Sequence, residues 1–140
     1  MSPTLLTRFA AATLGCALLA VAPAAHAASP LDGKVFVVDL GPKGKPANEK
    51  DDVLTFGDGR FHSKFCDKYG FGTGAYAATA DGGAIVFTTE TVSESDGRLV
   101  WRGRIEGETI EGEIVHHRKP GLFNRNPAPR ELWFKGRIRK

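Results

Sequence analysis

The chain predicts an all-β domain, an antiparallel meander of about eight strands that closes, or nearly closes, into a barrel. Three observations carry this expectation. Past residue 33, apolar and polar residues alternate in short runs, the period of strands with one buried face. Glycine-bearing turns such as "GDG" at 57–59 and "DGG" at 81–83 separate the runs. No window past residue 27 repeats its apolar residues at helical spacing.

Each strand is read from this alternation. Residues 34–40 place Phe36, Val38 and Leu40 on one face, and residues 53–56 lead into the first glycine turn. Residues 60–65 carry Phe61, Ser63 and Phe65 together; residues 75–80 and 84–92 flank the second turn. The stretch "RLVWRGRIEGETIEGEIVHH" reads as a hairpin. Leu99, Trp101, Gly103 and Ile105 share one face of its first strand, and Ile110, Gly112, Ile114 and His116 share one face of its second. Residues 131–138 repeat the rule with Leu132, Phe134, Gly136 and Ile138. Prolines fall in the connections, where a missing N–H breaks no ladder. Glycines on the inward parity at 103, 112 and 136 suit the sharp coiling of a small barrel, and closure removes the exposed edges of a meander. Two segments interrupt the pattern: a polar loop at 41–52, and 118–130, whose tip holds Leu122 and Phe123 among basic residues.

The first 27 residues have the anatomy of a secretory leader. One early charge, Arg8, precedes an apolar run at 9–21 and small residues ending Ala25-His26-Ala27. The run is too short to span a bilayer, and Thr13 stands where lipidation of Cys16 would want leucine. Cleavage after Ala27 would leave residues 28–140 as a single barrel domain, periplasmic or secreted, with no transmembrane anchor. Removing Arg8 takes the net charge from +3 to +2, a balance that selects no partner by itself. Cys66 would be the lone cysteine, so no internal disulfide is expected.

The stretch "FCDKYGFGTGAY" at 65–76 gathers this cysteine, two tyrosines and three glycines. A dinucleotide fingerprint at Gly70, Gly72 and Ala75 lacks the strand and helix such a motif needs. His62 and Cys66 share a strand face about 13 Å apart, too far to form a dyad without a bend near Phe65. Adjacent His116 and His117 point to opposite faces, and no metal-ligand spacing occurs, so neither metal nor cofactor is expected. Glu111 and Glu113 read as charge pairing with Arg102 and Arg104 across the hairpin. No nucleophile and base stand out, so an enzyme is not expected; a redox or hydrolytic centre at Cys66 is the least favoured reading. The segment from residue 118 onward is strongly basic, a bias suited to an anionic partner, and nucleic acid does not fit an exported protein.

The combination "LDGKVF" at 31–36, "FGDGRFHSKFCDKYGFG" at 56–72, "WRGRIEGETIEGEI" at 101–114 and "LWFKG" at 132–136 resembles a group of small exported bacterial proteins, most without an assigned function, with a lipocalin-like or calycin-like barrel. Asp58, Gly59, Cys66, Gly74 and Tyr76 also resemble the pattern of META-type envelope proteins, with Cys66-Asp67 in place of that family's Cys-Asn. The resemblance implies a fold and transfers no catalytic residue. The leading expectation is a barrel holding a small apolar ligand, its cavity lined by Phe36, Phe61, Tyr76, Phe87, Trp101, His116 and Phe134. Cys66, Asp67, Tyr69, Leu122 and Phe123 are expected at its rim. The alternative is an envelope interaction protein that meets an anionic lipid or a protein through the basic C-terminal face and the 118–130 loop.

Overall fold

Burial alternates along the strands as the sequence alternates, and the alternation sorts side chains into a barrel wall with an apolar inside. The computed structural model describes residues 29–140; the secretory leader read in 1–27, with Cys16, lies outside the described residues. The strands are β1 (Val35–Pro42), β2 (Glu49–Gly57), β3 (Arg60–Ser63), β4 (Gly74–Asp81), β5 (Ala84–Ser93), β6 (Gly97–Glu106), β7 (Thr109–His117) and β8 (Arg130–Ile138). Each pairs antiparallel with the next, and β8 returns to pair with β1, so the meander closes into an eight-stranded barrel consistent with a lipocalin-like fold.

One row of cross-strand partners shows how the wall coils. Phe87, Gly103, Gly112 and Phe134 are successive neighbours on β5 to β8. A β carbon at Gly103 would lie 2.3 Å from the Phe87 ring, and one at Gly112 would lie 2.6 Å from the Phe134 ring. The two phenylalanines occupy the space that the glycines leave empty, so the sheet bends tightly without opening a void.

Two expectations are corrected. The loop at 41–52 shrinks to 43–48, because Glu49 and Asp52 join β2 opposite Leu40 and Val38. The register slips there by one residue, and Asp51 takes a left-handed conformation (φ 59°), the signature of a bulge. The strand expected at 60–65 stops at Ser63, and a short 3₁₀ helix, Phe65–Tyr69, follows. Gly70 ends it at φ 77°, where a side chain would be strained.

The two ends of the barrel differ. Three turns of two residues each, at 58–59, 82–83 and 107–108, join strands at one end. Leu31, fully buried, plugs that end from the segment before β1. The Asp32 carboxylate accepts hydrogen bonds from Gly59 N–H and the Tyr76 hydroxyl, fastening the plug to the wall. The other end carries the connections 43–48, 64–73, 94–96 and 118–129.

Candidate functional site

The barrel interior is the first place to look for a site. Phe36, Phe61, Phe87, Trp101 and Phe134 all face inward and are buried, as their parity requires, and Tyr76 packs against them half-buried. They meet one another rather than an open space. Phe61 lies 4.9 Å from Trp101, Trp101 lies 5.4 Å from Phe134, and Phe87 lies 6.3 Å from Phe134, centroid to centroid. Phe56 was not expected among the lining residues, yet it sits edge-on to Phe36, Phe61, Tyr76 and Phe87 at 5.0–6.0 Å. Its alternation with Leu54 on β2 was the signal that could have found it.

Two polar atoms interrupt this apolar packing. Among the described residues, Trp101 Nε1 and Thr91 Oγ1 here, and Arg118 Nε on the 118–129 connection, are buried without a hydrogen-bond partner. An unpaired buried donor of this kind costs about 1–3 kcal/mol, so an acceptor supplied by a bound molecule would be stabilising there.

The end with the longer connections holds the residues expected at the rim, but in two different environments. Cys66 turns inward and is buried, because the 3₁₀ helix rotates it off the face that His62 occupies. Burial pushes its thiol up to about 11, with Asp52 and Asp67 adding to the rise and a hydrogen bond with Ser63 opposing it. A buried thiol raised in this way is held in its neutral form and packs as a small apolar group. The bend that a Cys66–His62 dyad would require does exist, but it delivers Asp67 instead: His62 Nε2 lies 2.6 Å from the Asp67 carboxylate at the surface.

Asp52 explains why the helix forms here. Its buried carboxylate accepts from Ser63 Oγ at 2.6 Å and from Phe65 N–H at 2.8 Å, satisfying a free donor at the start of the helix. Phe71 follows the helix into the barrel and seals this end beside Cys66. His116 belongs to the same seal: its ring stands edge-on to Phe71 at 5.9 Å, and Nε2 lies 2.7 Å from the Asp96 carbonyl. With Leu31 at one end and Cys66 and Phe71 at the other, both mouths are covered by apolar side chains.

Tyr69, Leu122 and Phe123 do lie in the open. Tyr69 is 43% exposed, Leu122 83% and Phe123 100%. The Lys68 ammonium sits 3.9 Å from the centre of the Phe65 ring and 5.1 Å from that of Tyr69, a cation over aromatic faces at the surface. A hydrogen bond from Gly121 N–H to the Asn124 carbonyl closes a tight loop that presents Leu122 and Phe123 at its tip. Arg118 and Lys119 brace the loop by donating to the carbonyls of Ala128 and Glu94, so their charge is not cancelled by those contacts.

Charge is distributed unevenly between the ends. The connections at the Phe123 end contain seven Lys or Arg against three Asp or Glu, whereas the turns and terminal segments of the other end contain three of each. The basic C-terminal residues Arg137, Arg139 and Lys140 lie toward the plugged end or beyond it, so the basic face expected from the sequence is divided between the ends.

On the outer wall, a cleft of about 680 Å³ runs over Gly103 and Gly112, flanked by Arg102, Arg104, Glu111, Glu113, Trp133 and Lys135. The register sets Arg102 opposite Glu113 and Arg104 opposite Glu111, as expected. Arg104, however, reaches sideways to Glu106 and Asp81, which hold its guanidinium protonated more firmly than usual. Trp133 donates its indole N–H to the Lys45 carbonyl, which ties its ring to the 43–48 connection. Among the described residues, no three His, Cys, Asp or Glu side chains cluster as metal ligands, and no helix is long and apolar enough to cross a membrane. No family model, curated protein or solved structure matches the chain.

Proposed function

We propose that the chain is an exported, non-enzymatic barrel of the lipocalin-like kind that works as an interaction module of the cell envelope through the end bearing the 118–129 connection. The observation that carries this reading is the exposed Leu122–Phe123 pair, held at the tip of a braced basic loop. A phenylalanine left wholly in water contributes nothing to its own fold, and exposed apolar groups rimmed by polar ones mark interaction sites. The leader-like first 27 residues support export. The test is to fractionate cells expressing wild type or the Leu122→Ser/Phe123→Ser variant and measure the share of protein retained by the envelope. Retention should fall for the variant; equal retention overturns the reading.

A second reading, a small molecule inside the barrel, is favoured by the unpaired Trp101 Nε1 and Thr91 Oγ1. The aromatic rings would have to part to admit it. Native mass spectrometry of protein taken from its own envelope separates the two: a stoichiometric retained ligand supports the interior reading, and the bare chain mass removes it.

A further inference from the structure

We infer that the partner of the Phe123 end is an anionic lipid bilayer, into whose interfacial layer Leu122 and Phe123 insert while the surrounding cations meet the headgroups. This inference rests on the reading of that end as the working surface and adds the identity of what it meets.

Three features of the end fit a bilayer better than a protein. The first is the size of the apolar element. A stable protein interface buries about 800 Å² per partner around a packed apolar core. Here the exposed large apolar side chains are few: Leu122 and Phe123 are adjacent on one loop that also carries Lys119 and Arg125, while Tyr69 and Val92 stand singly on other segments. A fluid interface accepts such a projection without a complementary pocket and takes up apolar groups to a depth of roughly 5–10 Å.

The second feature is the charge around the tip. Arg118, Lys119 and Arg125 flank it on the same connection, with no acidic residue anywhere in 118–129. Lys43, Lys45, Lys64 and Lys68 stand on neighbouring connections of that end. Lys43 is paired with Glu131, and Lys68 lies over aromatic rings. Lys119 is exposed and bonds only to a carbonyl, which leaves its charge to act outward; Arg118 is half-buried, with its Nε covered and its terminal nitrogen on a carbonyl rather than a carboxylate. Basic residues close to a membrane surface are drawn to anionic lipid, and the attraction fades beyond a Debye length. The even balance at the opposite end orients the barrel, loops toward the membrane.

The third feature is rigidity. Three prolines, Pro120, Pro127 and Pro129, together with the bond from Gly121 to Asn124, restrict the connection before anything binds. Less conformational freedom is then lost on insertion. Tyr69, partly exposed at the same end, is a residue type that favours membrane interfaces.

The test uses the purified mature chain and vesicles of phosphatidylcholine, either alone or with about one-third phosphatidylglycerol. Sedimentation with the vesicles measures binding at low and high salt. Wild type should bind the anionic vesicles, bind the neutral ones far more weakly, and release as salt rises. Leu122→Ser/Phe123→Ser should weaken anionic binding by about tenfold or more with an unchanged thermal midpoint, since neither side chain is packed. Lys45→Ser/Arg125→Ser should weaken binding at low salt and match wild type at high salt. Equal binding of the tip variant and wild type, or no binding to either vesicle, overturns the inference. If vesicle binding fails while envelope retention still depends on Leu122 and Phe123, the partner is not lipid and the interaction reading stands. If both fail, the working-end reading falls with it.

Discussion

Whether the barrel is filled or hollow decides between its two functional readings, and Phe134→Ala tests it directly. Phe134 is buried on β8, packs on Trp101 and Phe87, and covers the backbone of Gly103 and Gly112. In a filled interior, truncation removes the ring's transfer free energy and leaves a cavity that its neighbours close only in part. Phe→Ala changes of this kind cost 3–5 kcal/mol, and the two uncovered glycines place this site near the top, at about 4 kcal/mol. In a hollow, wetted interior there is no cavity term, and the cost falls to about 1–2 kcal/mol. For a domain of this size about 4 kcal/mol lowers the thermal midpoint by roughly 15 °C, a large share of a total stability of 5–15 kcal/mol. Urea unfolding followed by circular dichroism measures the loss, with the slope m as the check that both states keep their compactness. A dry cavity of this kind should also bind benzene and recover part of the midpoint, as wild type should not. A loss below about 2 kcal/mol with no benzene effect would refute the filled interior.

Three further outcomes follow from the same packing. Gly103→Ala places its new methyl against the Phe87 and Phe134 rings, which are side chains that a second substitution can shorten, so Phe87→Leu should restore part of its loss of about 1–3 kcal/mol. Gly112→Ala meets the Arg102 carbonyl at 2.1 Å, backbone that cannot yield, so Phe134→Leu should not rescue it; equal rescue in both pairs, measured by urea unfolding, contradicts the geometry. Asp52→Ala strips the acceptor from Ser63 Oγ and Phe65 N–H and should cost about 2–4 kcal/mol, with hydrogen exchange rising first in Phe65–Tyr69. Cys66, with its thiol near 11 and buried, should react with a disulfide reagent at pH 8 at least about 100-fold more slowly in the folded than in the unfolded chain. The raised value favours the neutral thiol of the folded state, so its contribution to stability is full below the unfolded pKa and is lost as pH rises through the folded one near 11.

The strands were legible because one face of each meets water and the other meets the core, which forces a period of two on the sequence. The exceptions have separate causes. "EKDD" at 49–52 reads as loop by charge, yet backbone pairing to β1 extends β2 through it, and the bulge turns Asp52 inward to serve the helix. Cys66 shares strand parity with His62 only if the strand continues, and the 3₁₀ turn that breaks the parity is fixed by Asp52, distant in sequence. The state of the interior was not legible at all. Parity says that Phe36, Phe61, Phe87, Trp101 and Phe134 point inward, but whether their rings touch depends on how far the inward glycines at 103 and 112 draw the wall in, a property of the closed sheet.

The contrast between the ends links the fold to the proposed role. A meander needs only tight turns, and at the plugged end it uses them: three two-residue turns of Asp, Glu and Gly, one of them, Asp58–Gly59, with both residues in the left-handed region that suits a hairpin. At the other end the connections run to ten residues at 64–73 and twelve at 118–129. The first is accounted for by packing, because it places Cys66 and Phe71 over the mouth. The second is not: its largest apolar side chains are in water, and its hydrogen bonds hold up the loop rather than the barrel. Length that the barrel does not need, stiffened by proline and tipped with two apolar residues, is the form expected of a segment held for contact outside the fold. In this molecule the wall and plugs supply stability, and the proposed role assigns contact with a partner to the 118–129 connection, whose tip does not take part in the packing.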